Sequence, residues 1–398
     1  MSKGIALMEE NTKNNPSPAK EGNFQKGFHV VIDGIKKPFR KISDFMRNHP
    51  LVSYSLRRIG SALLTIVLVI IATFFLLRML PLETYYGSFI QKFPIASRPA
   101  IIQAVLTKLG LNKPVLEQLF NYFYQILPFI PKEVCSNEVW DVSQSIFVCS
   151  ETTTVFVNFG TSFTIYPGAN VLPILAEQMP KSFIVGIGAA FVEILIGYPL
   201  GIMMAKYHDK VPDRIGNIFI VIISSIPPIV YYYTIYLILL VNYINWGIPF
   251  QYVPGNNFSL IPPMIIVGIA GAADISLWVR RFMVDELNAD YVKFARAKGL
   301  SENTILFKHV FRNALVPFIR TIPAAFLFSL MGSYFVERVF LIPGIGDMLI
   351  TAIQRQDNTF VQALVIIFAF ISTAAYLLGD LITVLFDPRV ALIAKKGD

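Results

Sequence analysis

The sequence predicts an all-α polytopic membrane protein with six transmembrane helices, on three observations: its apolar composition, the lengths of its apolar runs and the placement of its basic residues. Of 398 residues, 54% are hydrophobic and 15% charged, and the mean hydropathy is +0.57, a balance foreign to a water-soluble domain of this length. Crossing a hydrocarbon core of roughly 30 Å takes about 20 consecutive apolar residues in a helix. Six runs meet that requirement.

Residues 1–27 mix Pro, Asn, Lys and Glu without hydrophobic periodicity and read as a disordered cytoplasmic tail. Over 28–58, Val31, Ile35, Ile42 and Phe45 recur at near-helical spacing among Lys36, Lys37, Arg40 and Lys41, as in an amphipathic interfacial segment, although Pro38 interrupts it. The first span is 59–80; the stretch before it is polar and basic, so a retained span is expected rather than a cleaved signal. The segment 81–181 contains LGLNKPVLEQLFNYFYQIL, patterned as an amphipathic helix, and then a Thr- and Ser-rich stretch with the only cysteines, Cys135 and Cys149. Outside a cell these either form a disulfide, worth on the order of 3 kcal/mol for a loop this short, or remain two free thiols. Spans two to six fall at 182–205, 215–243, 260–279, 315–336 and 361–386, within a core of 182–392, and 393–398 form a short tail.

Basic residues near span ends stay in the cytoplasm. Lys206, Lys210 and Arg214 follow span two, Arg280, Arg281, Lys293, Arg296, Lys298, Lys308 and Arg312 follow span four, and Arg389, Lys395 and Lys396 follow span six. These mark the cytoplasmic side and place both termini there, with 81–181 outside. The formal charge of +8 therefore belongs to membrane edges and anionic membrane lipid, and no nucleic-acid partner is expected.

Between spans four and five, 285–313 is too charged to insert and too rich in helix formers for a simple turn, so it reads as a cytoplasmic helical hairpin. Ala295, Ala297 and Gly299 keep one surface small enough for a partner to dock. Gly299 suits a left-handed stop to the first helix and Ser301 a cap to the second. Periodicity alone also fits an amphipathic surface helix with solvated charges.

Ionisable residues inside spans are costly unless water or a partner receives them. Glu193 either walls a translocation path or makes a buried helix-to-helix hydrogen bond; Asp274 and Asp380 raise the same alternatives. Pro227-Pro228 must break or bend span three. Tyr231, Tyr232 and Tyr233 follow it, either lining a path or packing between helices. After span five, VERVFLIPGIGDMLITAIQRQD is too polar for lipid, and its Pro343-Gly344 turn and short helix suit an outer gate.

No GxxxxGK[ST] phosphate loop, nucleophile elbow, His-Glu-x-x-His or paired CxxC occurs, so no ATP hydrolysis, catalytic residue, metal or resident cofactor is expected.

The run DYVKFARAKGLS, followed by HVFRNALVP, closely resembles the cytoplasmic loop of dipeptide and oligopeptide ABC permeases. YSLRRIGSALLT, NFGTSF, PILAEQMPKSF and FVERVFLIPGIGDMLITAI agree in order, and the Arg57-Arg58 opening and Asp387-Pro388-Arg389 ending resemble the B-type subunit. Lys293 and Phe294 stand where the general importer pattern has Glu and Ala, as is normal in the peptide branch, and the stretch near 129–157 is an insertion. The resemblance implies the transmembrane domain of a type I ABC importer, without catalysis of its own. Asp290, Tyr291, Ala295, Ala297, Lys298, Gly299, Leu300 and Ser301 would form its ATPase-coupling loop, and Glu337, Pro343, Gly344 and Gly346 an outer motif. It further implies a homologous C-type permease subunit, two ATPase subunits that bind the ATP and Mg, and an extracellular peptide-binding lipoprotein. Sparse Gly and Ala beside abundant Ile, Asn and Lys suggest a Gram-positive plasma membrane. The alternatives are nickel or glycoside cargo, a proton-coupled carrier using Glu193, Asp274 or Asp380, and a non-transporting membrane scaffold or receptor.

Overall fold

The computed structural model describes residues 50–141, 146–319, 327, 331 and 333–386. The expected tails, most of the interfacial segment 28–58, and half of the span 315–336 lie outside the described residues.

Helix α1 is Pro50–Arg78, α2 Arg98–Lys108, α3 Val115–Ile126, α4 Val171–Lys206 and α5 Val211–Ser225. Then come α6, Pro228–Trp246, α7, Ile261–Leu287, α8, Asp290–Ala297, α9, Tyr334–Val339, α10, Ile345–Gln354, and α11, Asn358–Phe386. Among the described residues, five helices are long and apolar enough to cross a membrane: Val52–Arg78, Val171–Lys206, Pro228–Trp246, Asn257–Leu287 and Asn358–Thr383. Leu63, Leu68 and Leu76 on α1 and Val241 and Ile244 on α6 point outward uncovered, as suits a surface that meets lipid instead of water.

Several helices overrun the apolar runs that mark them. α4 starts at Val171, before the expected 182, because Glu177, Gln178 and Lys181 end an apolar run without ending a helix. Likewise α7 carries Arg280, Arg281, Asp285 and Glu286 past the apolar stretch. The expected span 215–243 is divided: Ile226 is extended and Pro227 has φ −54° and ψ 134°, so α5 and α6 are separate helices. Proline at this point removes an amide donor and pushes the residue before it out of the helical region.

Helices α4 and α7 form the most intimate pair. Side-chain hydrogens replace methyl groups where they meet: a Cβ on Gly197 would lie 2.8 Å from Ile275, and one on Gly201 2.7 Å from Val279. From the other side, a Cβ on Gly268 would lie 2.5 Å from Val192. Small residues are how apolar helices approach closely when lipid offers no hydrophobic penalty.

The insertion departs from the all-helical expectation. Strands β1, Lys132–Asp141, and β2, Ile146–Val155, pair antiparallel with Lys132 opposite Val155. The run Thr152-Thr153-Thr154-Val155 is β-branched throughout, which favours a strand over a helix. A disulfide joins Cys135 and Cys149, with Cα atoms 5.7 Å apart. At the base of this hairpin the buried Lys132 donates to the Leu127 and Phe156 carbonyls at 2.5 and 2.6 Å.

Candidate functional site

The hairpin between α7 and the segment after it is built by local chemistry. Asp290 stands in the first turn of α8 and Arg296 in the last, each opposite in sign to the helix-dipole end it faces. Gly299 then takes φ +76°. Its N–H donates to the Arg296 carbonyl at 2.9 Å and that of Leu300 to Ala295 at 3.3 Å, the paired bonds of a Schellman stop. Ser301 Oγ accepts from the Thr304 amide at 3.3 Å and so caps the second arm. Arg296 closes the turn onto Glu302, at 2.8 Å and 3.3 Å, and holds that carboxyl below its ordinary range. The second arm continues as a π-helical stretch, Ile305–Phe311.

The two arms hold each other apart from solvent through Val292, Ala295, Ile305, Leu306 and Val310, packed with Val279 and Met283 of α7. Here the structure corrects the expected small surface. Ala295 is buried and faces inward, because the α8 positions that meet the second arm are 292 and 295, one turn apart. The outward surface is Lys293, Phe294, Ala297, Lys298, Gly299 and Leu300. Phe294 is 61% exposed, with the Lys298 ammonium 4.5 Å from its ring centre, a cation–π pair on the hairpin's tip. Tyr291, half-buried, donates its hydroxyl to Glu286 at 2.6 Å.

A buried ion pair steadies the same end of the molecule. Asp213, 2% exposed, receives Arg280 Nε at 2.5 Å and Nη2 at 2.7 Å, the fork-to-fork geometry that only arginine offers. It also accepts from the Asp209 amide at 2.9 Å. Arg280 holds the Asp213 carboxyl well below its usual range. Lys206, ending α4, donates to Asn303 of the hairpin at 3.0 Å.

At the other end, Glu337 is the centre of a knot. It is 1% exposed and accepts from Ser182 Oγ of α4 at 2.7 Å, from the Ser333 amide at 3.2 Å and from the Asp347 amide at 2.8 Å. Ser182 Oγ in turn accepts from the Ile345 amide at 2.9 Å. The Pro343-Gly344 turn is thereby folded over the carboxylate so closely that a Cβ on Gly344 would collide with it, and one on Gly346 would lie 3.0 Å away. Glu337, Gly344 and Gly346 thus come together with Pro343 in the same turn, around a serine that sequence reading missed. Burial pushes the Glu337 carboxyl up to about 7, against the pull of its hydrogen bonds.

A second missed anchor is Asp357, 2% exposed. It accepts from Ser162 Oγ at 2.5 Å, the Ile165 amide at 3.1 Å and the Phe360 amide at 3.3 Å, tying the NFGTSF segment to the start of α11.

The residues read as path candidates come together only in part: Glu193 and Asp274 lie within electrostatic reach of each other, while the tyrosines face different surroundings. The Glu193 carboxylate lies against Gly271 of α7, its carbon 2.6 Å from where a Cβ would stand, while Asp274, on the same helix, is exposed. Asp380 is paired with Arg58 of α1 at 2.9 Å. Tyr232 is buried in a cluster with Val185, Leu260, Phe340 and Ile342, whereas Tyr233 is 52% exposed; consecutive helix positions diverge by about 100° and face different surroundings.

Residues 197–392 match the family described as binding-protein-dependent transport system inner membrane component. The oligopeptide transport system permease protein AmiC of Streptococcus pneumoniae serotype 4 is 36% identical over 221 residues, 56% of this chain. That match spans 44% of the relative's own length. The dipeptide transport system permease protein DppB of Lactococcus lactis subsp. cremoris is 29% identical over 344 residues, 86% of this chain and 100% of the relative. The inner membrane ABC transporter permease protein YejB of Escherichia coli O157:H7 is 26% identical over 312 residues, 73% of this chain and 76% of the relative.

Proposed function

We propose, from the match of residues 197–392 to the binding-protein-dependent transport system inner membrane component family, that the chain is the B-type permease subunit of an ATP-driven importer of di- or oligopeptides. The observation that carries the proposal is the hairpin: a compact pair of arms whose hydrophobic core is shared with the end of α7 at Val279 and Met283, stopped by Gly299 at φ +76° and capped by Ser301. Such a rigid lever transmits motion, where a solvated surface helix would not.

In this reading the chain pairs with a homologous C-type permease subunit and the tip around Phe294, Ala297 and Lys298 seats on one of two ATPase subunits, which hold the ATP and Mg. Six spans with both termini in the cytoplasm put the hairpin on the ATPase side and 81–181 on the side of an extracellular peptide-binding lipoprotein. ATP-driven closure of the ATPases pulls the hairpins together, the bundle turns from inward-facing to outward-facing, and peptide passes from the binding protein. Similarity to oligopeptide and dipeptide transport system permeases supports peptide as cargo, and the plasma membrane of a Gram-positive bacterium is the proposed setting.

Gly299→Arg tests the coupling assignment. Uptake of a labelled short peptide is expected to be lost in cells expressing this variant while the protein stays at its normal level in the membrane; full uptake would remove the hairpin from the mechanism.

A further inference from the structure

Helix α3 is amphipathic in the inverted sense. Leu116, Phe120 and Tyr124, spaced four positions apart along one face, are exposed, with Phe120 at 73%, and Leu127 and Phe129 beyond the helix end are also exposed. On the opposite face Gln118 is buried and, with Tyr122 and Gln125, lines a cavity of about 290 Å³. A helix at rest in water would turn the other way. One that lies at a membrane interface has this orientation, with its apolar side among the acyl chains.

The cavity behind α3 is cationic. Its charged lining is Arg78, Lys108, Lys113 and a single acid, Glu133. Lys113 is paired with Glu117 at 2.7 Å. Arg78 is the last residue of the spanning helix α1, and its guanidinium is held between the rings of Phe74 and Tyr85, at 5.0 and 5.4 Å. Arg78 Nε and the Tyr122 hydroxyl are shielded from solvent yet have no hydrogen-bond partner among the described residues. Burial lowers the Lys108 ammonium to about 8. An orphaned buried donor is costly, so a group that accepts from both Arg78 and Tyr122 is favoured here, and a negative charge on it also relieves the buried cations.

We infer that this is a seat for an anionic phospholipid: the α3 apolar face lies in the leaflet adjoining 81–181, and a headgroup phosphate enters the cavity to accept from Arg78 and Tyr122. Arg78 ends the apolar stretch of α1, where headgroups begin, and the volume accommodates a phosphodiester with its glycerol.

The test uses the full chain in nanodiscs of phosphatidylcholine with and without phosphatidylglycerol. Phosphatidylglycerol is expected to be retained preferentially through delipidation, by about tenfold, as a charge-assisted hydrogen-bond pair supplies. Arg78→Gln and Tyr122→Phe should each erase most of that preference, and Arg78→Lys, which keeps the charge if Arg78→Gln fails to fold, should keep part of it. A wild type without lipid preference, or variants that retain it, would overturn the seat. Glycerol phosphate or inorganic phosphate that protects the protein as well as the lipid does would overturn the lipid assignment and leave a free-anion site. A fluorophore at Phe120→Cys should be quenched by brominated lipid; shielding from that quencher would show protein, not bilayer, over α3.

Discussion

The hairpin of 285–313 and the Glu337 knot are both compact devices at the ends of long helices, yet they are held by opposite means. In the hairpin, the bonds that shape the turn are local: Gly299 to Arg296, Ser301 to Thr304, Arg296 to Glu302. In the knot, Glu337 reaches Ser182 across 155 positions, as Asp357 reaches Ser162 across 195 in the second anchor. Local devices survive as independent levers; long-range ones make their elements move as a body. The hairpin is therefore suited to being pushed, and the knot to holding its turn rigidly against α4.

If that contrast is right, truncating the knot costs more than truncating the hairpin's caps. Glu337→Ala leaves Ser182 and two amides without their acceptor, and a loss on the order of 3 kcal/mol is expected, read as a lower thermal midpoint of the full chain in detergent. Its charge has a pH signature. A buried carboxyl raised from 4.5 to about 7 binds its proton more tightly folded than unfolded, so its contribution is fully present below about 4.5 and is lost as pH rises toward 7. Wild type should therefore lose midpoint relative to Glu337→Gln between pH 5 and 7.5; a difference that does not vary with pH would contradict a buried carboxyl raised toward 7.

Asp213→Ala comes next, at about 2–3 kcal/mol, since it strands the partly buried Arg280; restoring the midpoint with a second change, Arg280→Met, would sharpen the point that the stranded charge is the cost. Gly299→Val forces a β-branched residue to φ +76° and is expected to cost about 1–2 kcal/mol, with a far larger fall in uptake than in midpoint. The smallest effect is Ser301→Ala, about 1 kcal/mol for one lost cap. A Ser301 variant as damaging as the Glu337 variant would break the comparison.

The same contrast explains what the sequence makes legible. Span positions follow from apolar run lengths, and the break before α6 from Pro227-Pro228, because both are local properties. The stop at Gly299 and the cap at Ser301 are readable for the same reason. The inward turn of Ala295 is not, since helical spacing says which residues share a face but not which face meets the second arm. The β-hairpin of 132–155 is hidden in an insertion whose Thr-rich run carries strand propensity without an apolar alternation. Ser182, Asp357 and the Asp213–Arg280 pair carry no spacing rule at all: their partners are chosen by the packing of distant helices.

Import of peptide with energy from partner ATPases is the central proposal for this chain. Uptake of a labelled short peptide, compared in cells with and without the gene and repeated with a protonophore at constant ATP, measures that directly. Gene-dependent uptake that survives the protonophore is the predicted result; uptake that collapses with the proton gradient would contradict it and return Glu193 and Asp274 to the centre of the mechanism.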